Sequence, residues 1–97
     1  MNDRESVLAS LRAAGAGLKQ RYPIRSLGLF GSFARGDVGA SSDLDVLVEF
    51  TRPVSLSTFL ALEDELKTLT GCEVDLVSRQ ALKPHIGRNV MRDLVLV

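Results

Sequence analysis

With 97 residues, 45% of them hydrophobic and 25% charged, the chain has the make-up of one small globular domain, not of a disordered or fibrous polypeptide. Twelve Lys and Arg balance twelve Asp and Glu, so no net field draws in duplex nucleic acid or an acidic membrane. The single cysteine, Cys72, excludes an internal disulfide framework and a cysteine-based zinc site, and no apolar run reaches the ~18 residues of a membrane span.

The start, Met1-Asn2-Asp3-Arg4-Glu5, is polar and no signal-peptide core follows it, so a cytoplasmic protein is expected. Asn2 has the character of a helix cap, and Glu5 stands at the spacing of a capping box. Val7, Leu8, Leu11, Ala14 and Leu18 then recur as one apolar stripe, predicting a first helix that ends near Lys19 to Arg21, before Tyr22-Pro23. Ile24 to Phe30 reads as a strand with Leu27 and Leu29 on one face. Gly31-Ser32 breaks it, Phe33-Ala34-Arg35 suits a short helical turn, and Asp37 to Ser42 is a polar loop.

Asp43 to Phe50 alternates as a second strand: Leu44, Val46 and Val48 on one face, Asp43, Asp45, Leu47 and Glu49 on the other. A second helix is expected from Ser55 or Ser57 as N-cap to Gly71 as C-cap, with Leu56, Phe59, Leu60, Leu62, Leu66 and Leu69 as its stripe. Glu73 to Ser78 is a third strand. Pro84 suits the first turn of a third helix running to about Met91, and Leu94 to Val97 a short last strand. Residues 1–97 thus read as a single α+β domain, with helices on one side of a sheet and carboxylates looking out of the other.

Asp43 and Asp45 lie two apart on a strand, so their Cα atoms are about 6–7 Å apart on one face. Carboxylates held this way repel each other unless a counter-charge intervenes. Magnesium suits the role, since it takes hard oxygen ligands and commonly combines one or two carboxylates with the oxygens of a triphosphate. Asp75 becomes a third ligand if the second and third strands are neighbours, and three acids can hold two ions for in-line displacement at phosphorus. A lone Asp-x-Asp on a solvated strand face would need no ligand at all.

The neighbouring turn changes that balance. Gly31-Ser32 directly follows an apolar strand, where backbone N–H groups can wrap a phosphate and glycine permits close approach. The Ser32 hydroxyl, the Arg35 guanidinium and Ser42 add donors, each with a blander alternative as a turn or solvated residue. Gly-Ser, Arg-Gly and Ser-Asp-x-Asp within one short segment put triphosphate donors beside metal ligands.

Gly31-Ser32-Phe33-Ala34-Arg35-Gly36, followed by Ser42-Asp43-Leu44-Asp45, resembles the signature of the DNA polymerase beta-like nucleotidyltransferase superfamily. Glu73-Val74-Asp75-Leu76-Val77 is similar to the strand carrying that superfamily's third acid, and nearly the whole chain resembles the minimal nucleotidyltransferases of prokaryotes. The resemblance implies a mixed sheet with helices on one face and two Mg2+ ions held by Asp43, Asp45 and Asp75. It also implies ATP as substrate, with Gly31, Ser32, Arg35 and Ser42 around its phosphates. It further implies an antitoxin that transfers AMP to a tyrosine hydroxyl of a HEPN-domain toxin.

The competing reading is a non-catalytic antitoxin that binds nucleotide and neutralises its partner by occlusion; the three intact acids favour activity. A small-molecule transferase would need an extra helical region for its acceptor. RNA as acceptor is disfavoured by the charge balance and the few aromatic residues. His85 has no nucleophile paired with it in the sequence, and Cys72 reads as a small apolar residue after a helix. Glu73, Lys83, Arg88 and Arg92 read as solvated charges.

Overall fold

The stripe of the first segment builds helix α1, Arg4–Arg21, which buries Val7, Leu8, Leu11 and Leu18. The chain then reverses through Tyr22-Pro23, where Tyr22 N–H donates to the Leu18 carbonyl at 2.9 Å and Ile24 N–H to the Tyr22 carbonyl at 2.8 Å. The computed structural model describes residues 4–31, 44–81 and 94–97. The proposed Asn2 cap, the turn and loop from 32 to 43, and the Pro84 helix lie outside the described residues.

Strand β1, Ile24–Phe30, pairs antiparallel with β2, Leu44–Phe50. An irregularity between Ile24 and Ser26 lets Ile24 oppose Phe50 while Leu27 opposes Val48, so both aliphatic side chains reach the same core although they are three residues apart. From β2 the chain crosses over through helix α2, Leu56–Thr70, to β3, Val74–Ser78, which lies parallel to β2. A single 3-10 turn, Arg79–Ala81, follows. The last strand, β4, Val95–Leu96, returns antiparallel to β1, giving the order β3-β2-β1-β4.

Among the described residues, two helices therefore pack on one face of a four-stranded mixed sheet. Leu44, Val46, Val48 and Phe50 of β2 meet Leu27 and Leu29 of β1, Val74 and Leu76 of β3, and Leu62 and Leu66 of α2 in one buried cluster. Burying a leucine of this kind contributes about 1.5–3 kcal/mol. The helices are also tied to each other: Glu65 of α2 accepts from the Tyr22 hydroxyl at 2.8 Å and forms an ion pair with Arg21.

Helix α2 starts and stops where its end residues dictate. Ser55 is the N-cap, its hydroxyl accepting from Thr58 N–H at 3.2 Å, and Gly71 closes the helix at φ 68°, its N–H donating to the Lys67 carbonyl. Because only glycine enters that left-handed region without cost, Gly71→Ala is expected to lower unfolding free energy by about 1 kcal/mol, measured by urea denaturation. The expected stripe of α2 needs one correction. Leu56 is 72% exposed and Leu60 47% exposed. At ~100° per residue, Leu60 stands roughly 200° round the helix from the buried Leu62, so it must face away from the sheet.

Beside the helix, the Glu63 carboxylate reaches the outer edge of β3 and accepts from Leu76 N–H at 3.3 Å. That bond satisfies a donor that would otherwise stand open on an edge strand, and it fixes β3 against α2. None of the described helices is long and apolar enough to cross a membrane.

Candidate active site

The face of the sheet turned away from the helices carries the acids. Alternation puts Asp45, Leu47 and Glu49 of β2 on it, and the register sets Asp45 directly opposite Asp75 of β3. Neighbouring strands run about 4.7–4.9 Å apart, so the two carboxylates leave the sheet side by side. Asp45 is half-buried and Asp75 exposed, with no ion-pair partner for Asp75 among the described residues.

On its other side Asp45 opposes Phe30, the last residue of β1, and Gly31 follows at once. Gly31 has φ 76°, and a Cβ built on it would collide with the Asp45 carboxylate. Both facts demand glycine. The Gly31 backbone thereby comes against the acid with no side chain of its own between them, and β2, an inner strand, holds Asp45 between Asp75 and Gly31.

The remaining acids of the region are accounted for differently. Glu49, on the same face as Asp45, accepts from Arg79 Nη1 at 3.2 Å and from the Ser26 hydroxyl at 3.4 Å, so its charge is already matched. Glu73 is exposed and stands 3.8 Å from Lys67 at the end of α2. Between the acids, Leu47 is buried, flanked in the ladder by Gly28 and Val77.

Of the residues singled out from the sequence, Gly31, Asp45 and Asp75 are thus brought together. Ser32, Arg35, Ser42 and Asp43 lie outside the described residues. Two carboxylates in register, one without a counter-charge, on an open face beside a glycine turn, form a hard-oxygen donor set that fits a divalent cation. A separate cleft of about 670 Å³, lined in part by Arg25, Arg52, Phe50 and Phe59, opens at the far end of β2. It contains none of these residues and lies roughly 17 Å along the strand from Asp45.

A mixed sheet with helices on one face, and paired aspartates beside a strand-ending glycine on the other, is the architecture of a nucleotidyltransferase. The pattern of the nucleotidyltransferase-domain family matches residues 12–97, and the chain belongs to that family. It is 40% identical over 93 residues to the protein adenylyltransferase MntA of Thermococcus cleftensis, covering 96% of this chain and 94% of that one. Its fold superposes with a TM-score of 0.84 on a structure described provisionally as a minimal nucleotidyltransferase, at 33% identity, covering 98% of this chain and 96% of the other. At 18% identity, a TM-score of 0.69 relates its fold to a chain in the Shewanella oneidensis complex of a tri-AMPylated HEPN toxin with its MNT antitoxin. There 93% of this chain and 70% of that one are covered.

Proposed function

We propose that this chain is a magnesium-dependent protein adenylyltransferase of the cytoplasm, one domain spanning residues 1–97. In this reading it is the antitoxin of a HEPN-domain toxin and transfers AMP from ATP to a tyrosine hydroxyl of that partner. The observation that carries this reading is the apposition of Asp45 and Asp75, beside Gly31, on the face turned away from the described helices. The name of the Thermococcus relative supports AMP as the group transferred, and the likeness in fold to the Shewanella complex agrees with a HEPN partner.

Asp43, Asp45 and Asp75 hold two Mg2+ ions, which when bound neutralise the triphosphate and the charge that develops during transfer. Gly31 brings its backbone to the phosphates, and Ser32, Arg35 and Ser42 donate to their oxygens. With the acceptor hydroxyl beside Asp75, its oxygen attacks the α-phosphorus in line. The bond from the α-phosphorus to the bridging oxygen breaks, pyrophosphate leaves with the electron pair, and the phenolic proton passes to solvent. Positioning and charge stabilisation supply most of the acceleration, as in phosphoryl transfer generally.

Co-expression separates catalysis from occlusion. The wild-type chain should restore growth to cells making the co-encoded HEPN toxin. The double variant Asp43→Asn with Asp45→Asn should still bind the toxin in a pull-down yet leave the cells inhibited. Full rescue by the double variant would mean that neutralisation needs no transfer.

A further inference from the structure

The cleft of about 670 Å³ at the far end of β2 plays no part in the transfer reaction. Its volume falls within the roughly 300–1,000 Å³ of small-molecule sites, which are mostly apolar with a few fixed polar groups. Phe50 and Phe59 stand in its wall as a ring pair with centroids 6.4 Å apart, and Val54 and Leu56 extend that apolar surface.

The polar lining is largely spent within the fold. Glu49 is matched by Arg79 and Ser26, and the Thr51 hydroxyl donates to the Pro23 carbonyl. Ser55 caps α2, while Ser78 donates to Gln80, which in turn donates to the Phe50 carbonyl. Of the polar side chains in this lining, Arg25 and Arg52 alone have no hydrogen bond or ion pair among the described residues. Regular alternation along β1 would set Arg25 on the core face with Leu27 and Leu29. The irregularity between Ile24 and Ser26 absorbs it as an extra residue, so Ile24 takes the core position and Arg25 is exposed at the cleft. Arg52 arrives from the non-helical segment between β2 and α2. Two guanidinium groups from separate elements thus border one apolar hollow.

We propose that this cleft is a second ligand site, for a small organic anion that joins a carboxylate or phosphate group to an aromatic or aliphatic body. The anionic group pairs with Arg25 and Arg52, and the body lies against Phe59 and Leu56. A neutral ligand would leave both guanidinium groups unused, and a cation would be repelled. The cleft stands about 17 Å along β2 from Asp45, so its ligand does not compete with a nucleotide held at the acids. The site does not rest on the transfer reading.

The test is an NMR titration of the isotopically labelled full chain with hydrocinnamate and, separately, with phenyl phosphate. At least one should saturate with a dissociation constant of about 1 mM, shifting the Arg25 and Arg52 side-chain Nε signals together with the Phe59 amide. The stronger of the two identifies carboxylate or phosphate as the preferred group. Hydrocinnamide, which lacks the charge, and acetate, which lacks the apolar body, should each bind about tenfold more weakly. Arg25→Gln and Arg52→Gln should each weaken binding about threefold to fivefold, as loss of an exposed ion pair does, with an unchanged circular dichroism spectrum. Saturating ATP with Mg2+ should leave the titration as it is. The proposal is overturned if neither anion shifts these signals at tens of millimolar, or if the neutral amide binds as well. Binding that survives loss of both arginines, or that ATP displaces, overturns it equally. Shifts caused by an acidic peptide containing phenylalanine, but by neither small anion, would also overturn it and make the cleft a protein-docking surface.

Discussion

Replacing Asp45 by asparagine is expected to lower the rate of AMP transfer by about 1000-fold, equivalent to about 4 kcal/mol of transition-state stabilisation. Asparagine keeps the size of the side chain and one acceptor oxygen but removes the charge, and magnesium binding depends on that charge. The position magnifies the loss. Asp45 sits on an inner strand with Asp75 to one side and Gly31 to the other, so in the proposed reading it is, among the described acids, the one placed to touch both metal and phosphate. Two measurements check this: the initial rate of label transfer at saturating nucleotide, and the shift of Tm on adding Mg2+. Ligand binding stabilises the folded state by mass action, so Mg2+ should raise the wild-type Tm by several degrees. The same addition should scarcely move Asp45→Asn. An undiminished Mg2+ shift in the variant would remove Asp45 from the metal site.

Gly31→Ala is expected to cut transfer by about 100-fold and to lower stability by about 1–2 kcal/mol, the ordinary cost of putting an L residue into the left-handed region. The conformation alone accounts for the stability loss: φ is 76°, and alanine brings a Cβ there. The activity loss has a second cause. That Cβ would collide with the Asp45 carboxylate, so the acid must swing away or the turn must retreat from it. In the proposed reading, either movement displaces a metal ligand from the phosphate donors. The signature is therefore a joint loss of stability, nucleotide affinity and rate, read by urea denaturation, by calorimetric titration with a non-hydrolysable ATP analogue and by label transfer. A variant less stable but fully active would show that the close approach of Gly31 to Asp45 is structural only.

Much of this fold follows from local chemistry. Alternation in Leu44–Phe50, interrupted only by the apolar Leu47, separates aliphatic from acidic faces whatever the partner strands are, and Ser55 and Gly71 fix the ends of α2 through their own side-chain and backbone properties. The apposition of Asp45 with Asp75 is different in kind. It depends on β2 and β3 being parallel neighbours, a relation carried by the packing of the α2 crossover on the sheet and by no residue in either strand. The irregularity near Arg25 was equally hidden, because it exists only in the pairing of β1 with β2. Leu56 and Leu60 misled for plainer reasons: hydrophobicity placed both in the stripe, whereas the angular position of Leu60 puts it outside and Leu56 is the exposed first residue of the helix. Glu49 shows the converse, an acid on the site face that Arg79, thirty residues away, withdraws from metal chemistry.

The most direct measurement follows the phosphorus. Wild-type protein, the purified HEPN-domain partner and Mg2+ are incubated with ATP labelled at either the α- or the γ-phosphate. The partner's modified residue is then located by peptide mass spectrometry. Label from the α-position should appear on a tyrosine of the partner, label from the γ-position should leave as pyrophosphate, and both should stop when EDTA removes the metal. A partner that stays unlabelled while the complex forms, or one that takes the γ-label instead, would contradict nucleotidyl transfer from the Asp45–Asp75 face.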